Sequence, residues 1–139
     1  MGAKVLVWSR SRKDIALDEL LSRSEIVSLH LPLTAETQGV IDVRKMKPGA
    51  ILVNTARGGL VDEKLLIEAL RGGHLAAAGL DVFTNEPLPA DHPLLRLENV
   101  VPAPHLAWLT QETLARSVAA ALRNVRNLRS GLPLENRLA

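Results

Sequence analysis

Cysteine is absent from the 139-residue chain. That excludes a disulfide framework, a thiolate metal site and a cysteine nucleophile, and it makes a reducing compartment, the cytoplasm, the expected location. Aromatic residues are scarce as well, with two Trp, one Phe and no Tyr, so there is no stacking platform for nucleic acid. The basic residues are spread along the chain and form no stripe, and no nucleic-acid partner is expected. No apolar run approaches the ~20 residues that span a bilayer, and Arg10, Arg12 and Lys13 follow a single short apolar segment. Neither a membrane helix nor a signal peptide is expected on that pattern. There is no large excess of one charge either. A net charge of +2 with 47% hydrophobic and 23% charged residues is the composition of one soluble globular domain, which excludes disorder, collagen and coiled coil.

Short apolar runs alternate with amphipathic ones. Lys4 to Trp8 (KVLVW), Ile26 to Leu29 (IVSL), Ala50 to Asn54 (AILVN), Leu75 to Val82 and Asn99 to Pro102 read as buried strands. Between them lie a short helix through Leu17, Leu20 and Leu21, a polar stretch from Thr34 to Lys45 with one or two helical turns, and a helix through Leu65, Leu66, Ala69 and Leu70. Asp62 caps that last helix and Gly72-Gly73 ends it. Thr110 with Glu112 opens the longest helix, with Leu114, Val118, Leu122, Val125 and Leu128 on one side. Strands without strict period-2 alternation, separated by helices, predict an α/β fold, a parallel sheet with helices on its faces.

Ligands of open parallel sheets bind beyond the carboxyl ends of the strands. The residues that follow the apolar runs are Ser9-Arg10-Ser11, His30, Asn54 to Gly59 (NTARGG), Asp81 and Pro104-His105. One edge therefore collects small residues, an arginine, an acid and histidines. The segments VNTARGGLVD (Val53 to Asp62), GLDVFTNEPLP (Gly79 to Pro89), APHLAW (Ala103 to Trp108), VSLHLPLT (Val27 to Thr34) and MKPGAILVNTARGG (Met46 to Gly59) together resemble the D-isomer-specific 2-hydroxyacid dehydrogenases, and the similarity runs through nearly the whole chain.

That resemblance implies a Rossmann-like NAD(P)-binding domain and hydride transfer between NAD(P)H and a small 2-oxo or 2-hydroxy acid, in a cytoplasmic homodimer. It implies Arg57, Glu86 and His105 as catalytic residues. Cofactor contacts would come from Ser9, Arg10, Ser11, His30, Leu31, Pro32, Thr55, Ala56, Arg57, Asp81 and His105. No metal site is implied. The residue types suit the chemistry on their own account. Protonating the oxygen of a 2-oxo acid needs a group that titrates near neutral pH, which is histidine, and a neighbouring carboxylate favours its imidazolium form. Two parallel guanidinium donors match a carboxylate better than lysine does. His74 and His92 read as loop residues and Trp108 as a packing residue.

The strand ending in Trp8-Ser9-Arg10-Ser11-Arg12 carries no acid before Asp14. An acid there would bond a ribose 2′-hydroxyl, and an arginine accommodates a 2′-phosphate, so NADP(H) is the favoured cofactor. The sequence also departs from the family pattern. No GxGxxG turn occurs, and the strand and helix that accompany it are not found before Lys4. The reading is therefore of residues 1–139 as a partial NAD(P)-binding domain, truncated at the N-terminus and without a substrate domain. The absent strand is expected to lie between Ile26–Leu29 and Ala50–Asn54, leaving a gap in the sheet. The isolated chain is expected to be inactive, and the tail GLPLENRLA to have nothing to dock on. A non-catalytic binding or dimerisation module, or a decayed remnant, is the alternative.

Overall fold

The computed structural model describes residues 2–9, 11, 12 and 14–136. The chain divides into two units, Met1–His105 and Leu106–Ala139.

In the first unit four strands, β1 (Ile26–Leu29), β2 (Ala50–Asn54), β3 (Leu75–Leu80) and β4 (Val100–Pro102), form one parallel sheet in the order β1-β2-β3-β4. The register puts Val27 beside Leu52, Leu52 beside Ala78 and Ala78 beside Val100. All four are buried, as are Leu29, Asn54 and Leu80 two residues further on. Period 2 thus assigns one face of β1, β2 and β3, with Val100 of β4, to the core. Ile26 and Val101, on the other face, are 62% and 71% exposed.

Two helices belong to this unit, α1 (Leu17–Arg23) and α2 (Glu63–Arg71). In α2 the Asp62 carboxylate accepts hydrogen bonds from the Lys64 and Leu65 N–H groups, and Leu66, Ala69 and Leu70 are buried. The capping aspartate and the ending at Gly72 follow the sequence reading. Capping of this kind is worth about 1 kcal/mol. Short 3-10 turns at Val43–Lys45, Gly58–Leu60 and Pro93–Arg96 complete the connections. Leu21, Val43, Met46, Leu52, Leu60, Leu75 and Leu94 are sealed at the centre of the core.

Two strand expectations are corrected. Lys4 to Trp8 forms no strand among the described residues, and Val5 and Val7 are 75% and 48% exposed. An apolar β-branched run becomes a strand only beside a partner edge. One edge of β1 is taken by β2, and no described segment joins Lys4–Trp8 to the other. The expected gap is also not there, because Ile26–Leu29 pairs directly with Ala50–Asn54 along its whole length. Strands that lie side by side in sequence order correspond to the 4-5-6 arm of the 3-2-1-4-5-6 arrangement. Ile26–Leu29 therefore takes fourth place, and the first strand belongs outside it.

The second unit is built on α3 (Gln111–Arg129), whose N-cap Thr110 accepts a hydrogen bond from the Thr113 N–H. The stripe Leu114, Val118, Leu122, Val125 and Leu128 is at least half exposed. The tail after Gly131 does dock, contrary to expectation, and it docks on α3. Asn124 Nδ2 donates to the Glu135 carbonyl at 3.0 Å while the Glu135 N–H donates to Asn124 Oδ1 at 2.8 Å. Asn127 Nδ2 donates to the Pro133 carbonyl at 3.0 Å. Arg123 grips the Glu135 carboxylate through Nε and Nη2, each at 3.0 Å. The asparagines imitate a strand edge, a role that composition does not reveal. Trp108 is 56% exposed.

Candidate active site

The carboxyl end of β2 runs straight into the NTARGG loop, and the loop is held from beneath. Asn54 is 2% exposed. Its Oδ1 accepts a hydrogen bond from the Ala56 N–H at 3.1 Å, and its Nδ2 donates to the Arg57 carbonyl at 2.9 Å. A buried amide must find partners for both arms, and here both lie in the loop. The Asn54 carbonyl accepts from the Asp81 N–H at 2.9 Å, which ties the loop root to the end of β3. Arg57 is extended, with φ −150° and ψ 139°, just before the 3-10 turn at Gly58–Leu60. Its Nη1 donates to the Ala56 carbonyl at 2.6 Å.

Gly58 fixes the loop against its neighbour. A Cβ at this position would lie 2.1 Å from the Phe83 carbonyl carbon and 2.5 Å from the Thr84 nitrogen. Only glycine allows that approach of two backbones. The Phe83 N–H in turn donates to Glu86 Oε1 at 2.9 Å, and Glu86 Oε2 lies 2.8 Å from His105 Nδ1. A carboxylate only accepts, so Nδ1 carries the proton of this bond. The His105 ring holds the Glu86 carboxyl below its ordinary value of 4.5, and the Phe83 N–H adds to the effect. His105 has φ 57°. That left-handed conformation is uncommon outside glycine, costs of order 1–3 kcal/mol, and gathers at functional sites.

A cleft of about 400 Å3 opens at the carboxyl ends of β1 and β2, lined by Leu29, His30, Leu31, Pro32, Leu33, Thr55, Ala56 and Arg57. Its other wall is braced by Thr37, which is 1% exposed. The Thr37 hydroxyl donates to the Pro32 carbonyl and accepts from the Thr34 N–H, both at 2.7 Å. His30 Nε2 lies 2.8 Å from Ser28 Oγ.

The structure thus gathers His30, Leu31, Pro32, Thr55, Ala56 and Arg57 around one cleft, and Glu86 and His105 into one pair. Asp81 is buried at the end of β3. Ser9 and Ser11 do not line the cleft. They sit in a surface turn, their hydroxyls 3.2 Å apart, where Ser9 Oγ accepts from the Arg12 N–H at 3.0 Å. Arg10 lies outside the described residues. Thr37 was not singled out from the sequence and Asn54 only as the first residue of NTARGG, without a role, and the signal for either is a small polar residue beside an apolar strand or turn. Among the described residues no His, Cys, Asp and Glu cluster could hold a metal ion.

The size of the cleft is that of a small-molecule site, and its position is that of ligands in open parallel sheets. Apolar walls from Leu29, Leu31 and Ala56 with the polar Thr55 and Arg57 suit a ligand with a flat ring and anionic groups. Residues 1–107 match the model of the D-isomer specific 2-hydroxyacid dehydrogenase NAD-binding domain. The chain belongs to this family. A glyoxylate reductase from Korarchaeum cryptofilum is 50% identical over 137 residues, 89% of this chain and 41% of that protein. The crystal structure of D-lactate dehydrogenase with NAD+ from Lactobacillus jensenii superposes with a TM-score of 0.83 at 34% identity, over 90% of this chain and 42% of that one. A D-isomer specific 2-hydroxyacid dehydrogenase from Xanthobacter autotrophicus Py2, in complex with NADPH and MES, gives a TM-score of 0.72 at 41% identity, over 88% and 51%. The chain therefore spans about two fifths of the curated dehydrogenase it matches. Within the family this chain carries the NAD-binding domain, a Rossmann-like parallel sheet with flanking helices. No described helix is long and apolar enough to cross a membrane.

Proposed function

We propose that Arg57, Glu86 and His105 are the catalytic residues for hydride transfer between NAD(P)H and a small 2-oxo acid of the glyoxylate type. The single observation that carries this reading is the 2.8 Å contact of His105 Nδ1 with Glu86 Oε2 on a left-handed backbone. It supplies an oriented acid at the carboxyl edge of a parallel sheet.

A nicotinamide cofactor, when bound, would supply the hydride for C2 of the oxo acid. Arg57 binds the substrate carboxylate through two parallel N–H donors, a match of geometry that lysine lacks. Glu86 holds His105 by Nδ1–H, which assigns proton delivery to Nε2. That proton goes to the oxo oxygen as the hydride reaches C2, so the product is the 2-hydroxy acid and the ring is left neutral. Leu31, Pro32, Thr55 and Ala56 would hold the nicotinamide end of the cofactor, with Asp81 beneath.

The partners in this reading are a 2-oxo or 2-hydroxy acid and a second copy of the chain, in the cytoplasm. The preferred cofactor is NADP(H), supported by the basic segment Ser9 to Arg12 without an acid. Weak cofactor binding and little turnover are proposed for the 139-residue polypeptide by itself, because no GxGxxG turn offers backbone N–H groups to the pyrophosphate.

The experiment is calorimetric titration of the chain with oxamate, an unreactive 2-oxo acid isostere, alongside NADPH and NADH. Oxamate affinity is expected to fall about tenfold or more in Arg57→Gln. An unchanged affinity overturns the role of Arg57. Arg10→Asp is expected to move preference from NADPH toward NADH, and an unchanged ratio overturns the NADP(H) reading.

A further inference from the structure

The loop carrying Arg57 enters its 3-10 turn through one extended residue. Arg57 is the residue at which extended backbone gives way to the turn at Gly58–Leu60. A turn begun one residue earlier would need helical φ and ψ at Arg57 in place of its extended values. It would carry the guanidinium to another direction, because φ and ψ at its own Cα would change.

Asn54 closes that alternative. Its carboxamide spans the Ala56–Arg57 dipeptide, accepting from the first N–H and donating to the last carbonyl. The carbonyl between them accepts from the Arg57 guanidinium itself. At 2% exposure the side chain touches no solvent-borne ligand. Any influence it has on binding must pass through the loop it holds, at Ala56 and Arg57.

We propose that Asn54 is a positioning residue, its buried carboxamide fixing the extended backbone from which the Arg57 guanidinium engages the substrate carboxylate; this rests on the reading of Arg57 given above. A residue that only filled the core would contribute to stability alone. Asn54 contributes to affinity beyond its share of stability, because its two hydrogen bonds hold the backbone of a charged anchor.

The test compares oxamate affinity and the Arg57 Nε–H resonance in the 139-residue chain and its variants. Asn54→Ala is expected to weaken oxamate about tenfold, since it leaves the Ala56 N–H and the Arg57 carbonyl without their partner. It is also expected to shift and broaden the Arg57 Nε–H signal. Asn54→Asp keeps the acceptor for Ala56 and loses the donor to Arg57, so it should fall between the two. Leu52→Ala, on the same strand and fully buried, lowers the melting temperature without touching the loop and is expected to keep oxamate affinity within about twofold. Asn54→Ser, smaller in its disturbance, carries the same comparison should the alanine variant not fold. Wild-type oxamate affinity in the folded Asn54 variants, or an equal loss in Leu52→Ala, overturns the proposal. Arg57→Gln separates the two readings. If it leaves affinity unchanged the anchor reading fails; if it alone weakens oxamate, the anchor stands and the role of Asn54 fails.

Discussion

The loop at Asn54 to Gly59 lies at the carboxyl ends of the sheet strands, the described residues Ser9, Ser11 and Arg12 lie in a surface segment outside the cleft, and the two are held in opposite ways. The first is anchored from below by a buried amide and from the side by a glycine pressed on the Phe83 backbone. Among its described residues the second shows local surface ties, serine to serine, serine to the Arg12 N–H, and Arg12 to Asp14. The difference is one of preorganisation. A guanidinium on a braced loop meets its anion without first ordering the backbone, whereas a surface turn loses conformational freedom when it binds. Arg57 is thus suited to a binding step that must fix geometry, and the turn to one that only adds charge.

The comparison breaks most severely at Gly58. An alanine there would force two backbones apart, since no side chain at the contact can move aside. We expect Gly58→Ala to lose about 3 kcal/mol of stability in urea unfolding, the upper part of the range for overpacking. Ser9→Gly, in the other region, serves as the reference. Equal losses in the two would mean that the loop is no better braced than the turn.

Next in size is the anchor itself. Arg57→Lys keeps the charge and loses the planar pair of donors, so oxamate affinity should drop about tenfold with the melting temperature unchanged. A lysine variant that binds as well as wild type would show that the braced loop supplies charge alone.

A smaller effect is expected at the pair that Gly58 connects to the loop. The carboxyl of Glu86 is depressed by His105 and then by the Phe83 N–H. A depressed carboxyl contributes stability that is present above its unfolded value, near 4.3, and is lost as pH falls through the folded value. Because Glu86 and His105 are both more than a third exposed, solvent screens the pair and the contribution is modest. Glu86→Gln should therefore be less stable than wild type at pH 6, and the two should converge as pH falls below about 4. Urea midpoints across that range would show it, and a constant difference at all pH values would mean that the bond to His105 contributes nothing electrostatic.

How much of this was legible in the sequence follows from the same physics. Ile26–Leu29, Ala50–Asn54 and the capped helix after Asp62 could be read because their patterns are local, a short apolar run or a cap followed by an apolar face. Glu86 and His105 are 19 residues apart in sequence and could be paired from it only through the family resemblance; the structure puts them 2.8 Å apart. Lys4 to Trp8 was misread because a strand needs a partner edge, which is not a local property. The position of Ile26–Leu29 in the sheet was misread for the same reason. Thr37 and the bracing role of Asn54 escaped notice because a buried polar side chain is recognisable only by what lies over it. The Asn124 and Asn127 contacts to the tail were hidden likewise.

The smallest expected effect lies in the surface turn. Ser9→Ala removes an acceptor for the Arg12 N–H and the contact to the Ser11 hydroxyl, but water can replace both at an exposed site. Stability should therefore change by no more than about 0.5 kcal/mol. If the turn holds a 2′-phosphate, the hydroxyl matters only when the phosphate is present, so NADPH affinity should weaken a few-fold, about the value of one exposed hydrogen bond, while NADH affinity stays put. Parallel titrations with the two cofactors measure that ratio directly. A loss shared equally by NADPH and NADH would mean that the turn supports the adenosine end of either cofactor by shape, and the contrast with the braced loop would then be one of rigidity without any division of labour.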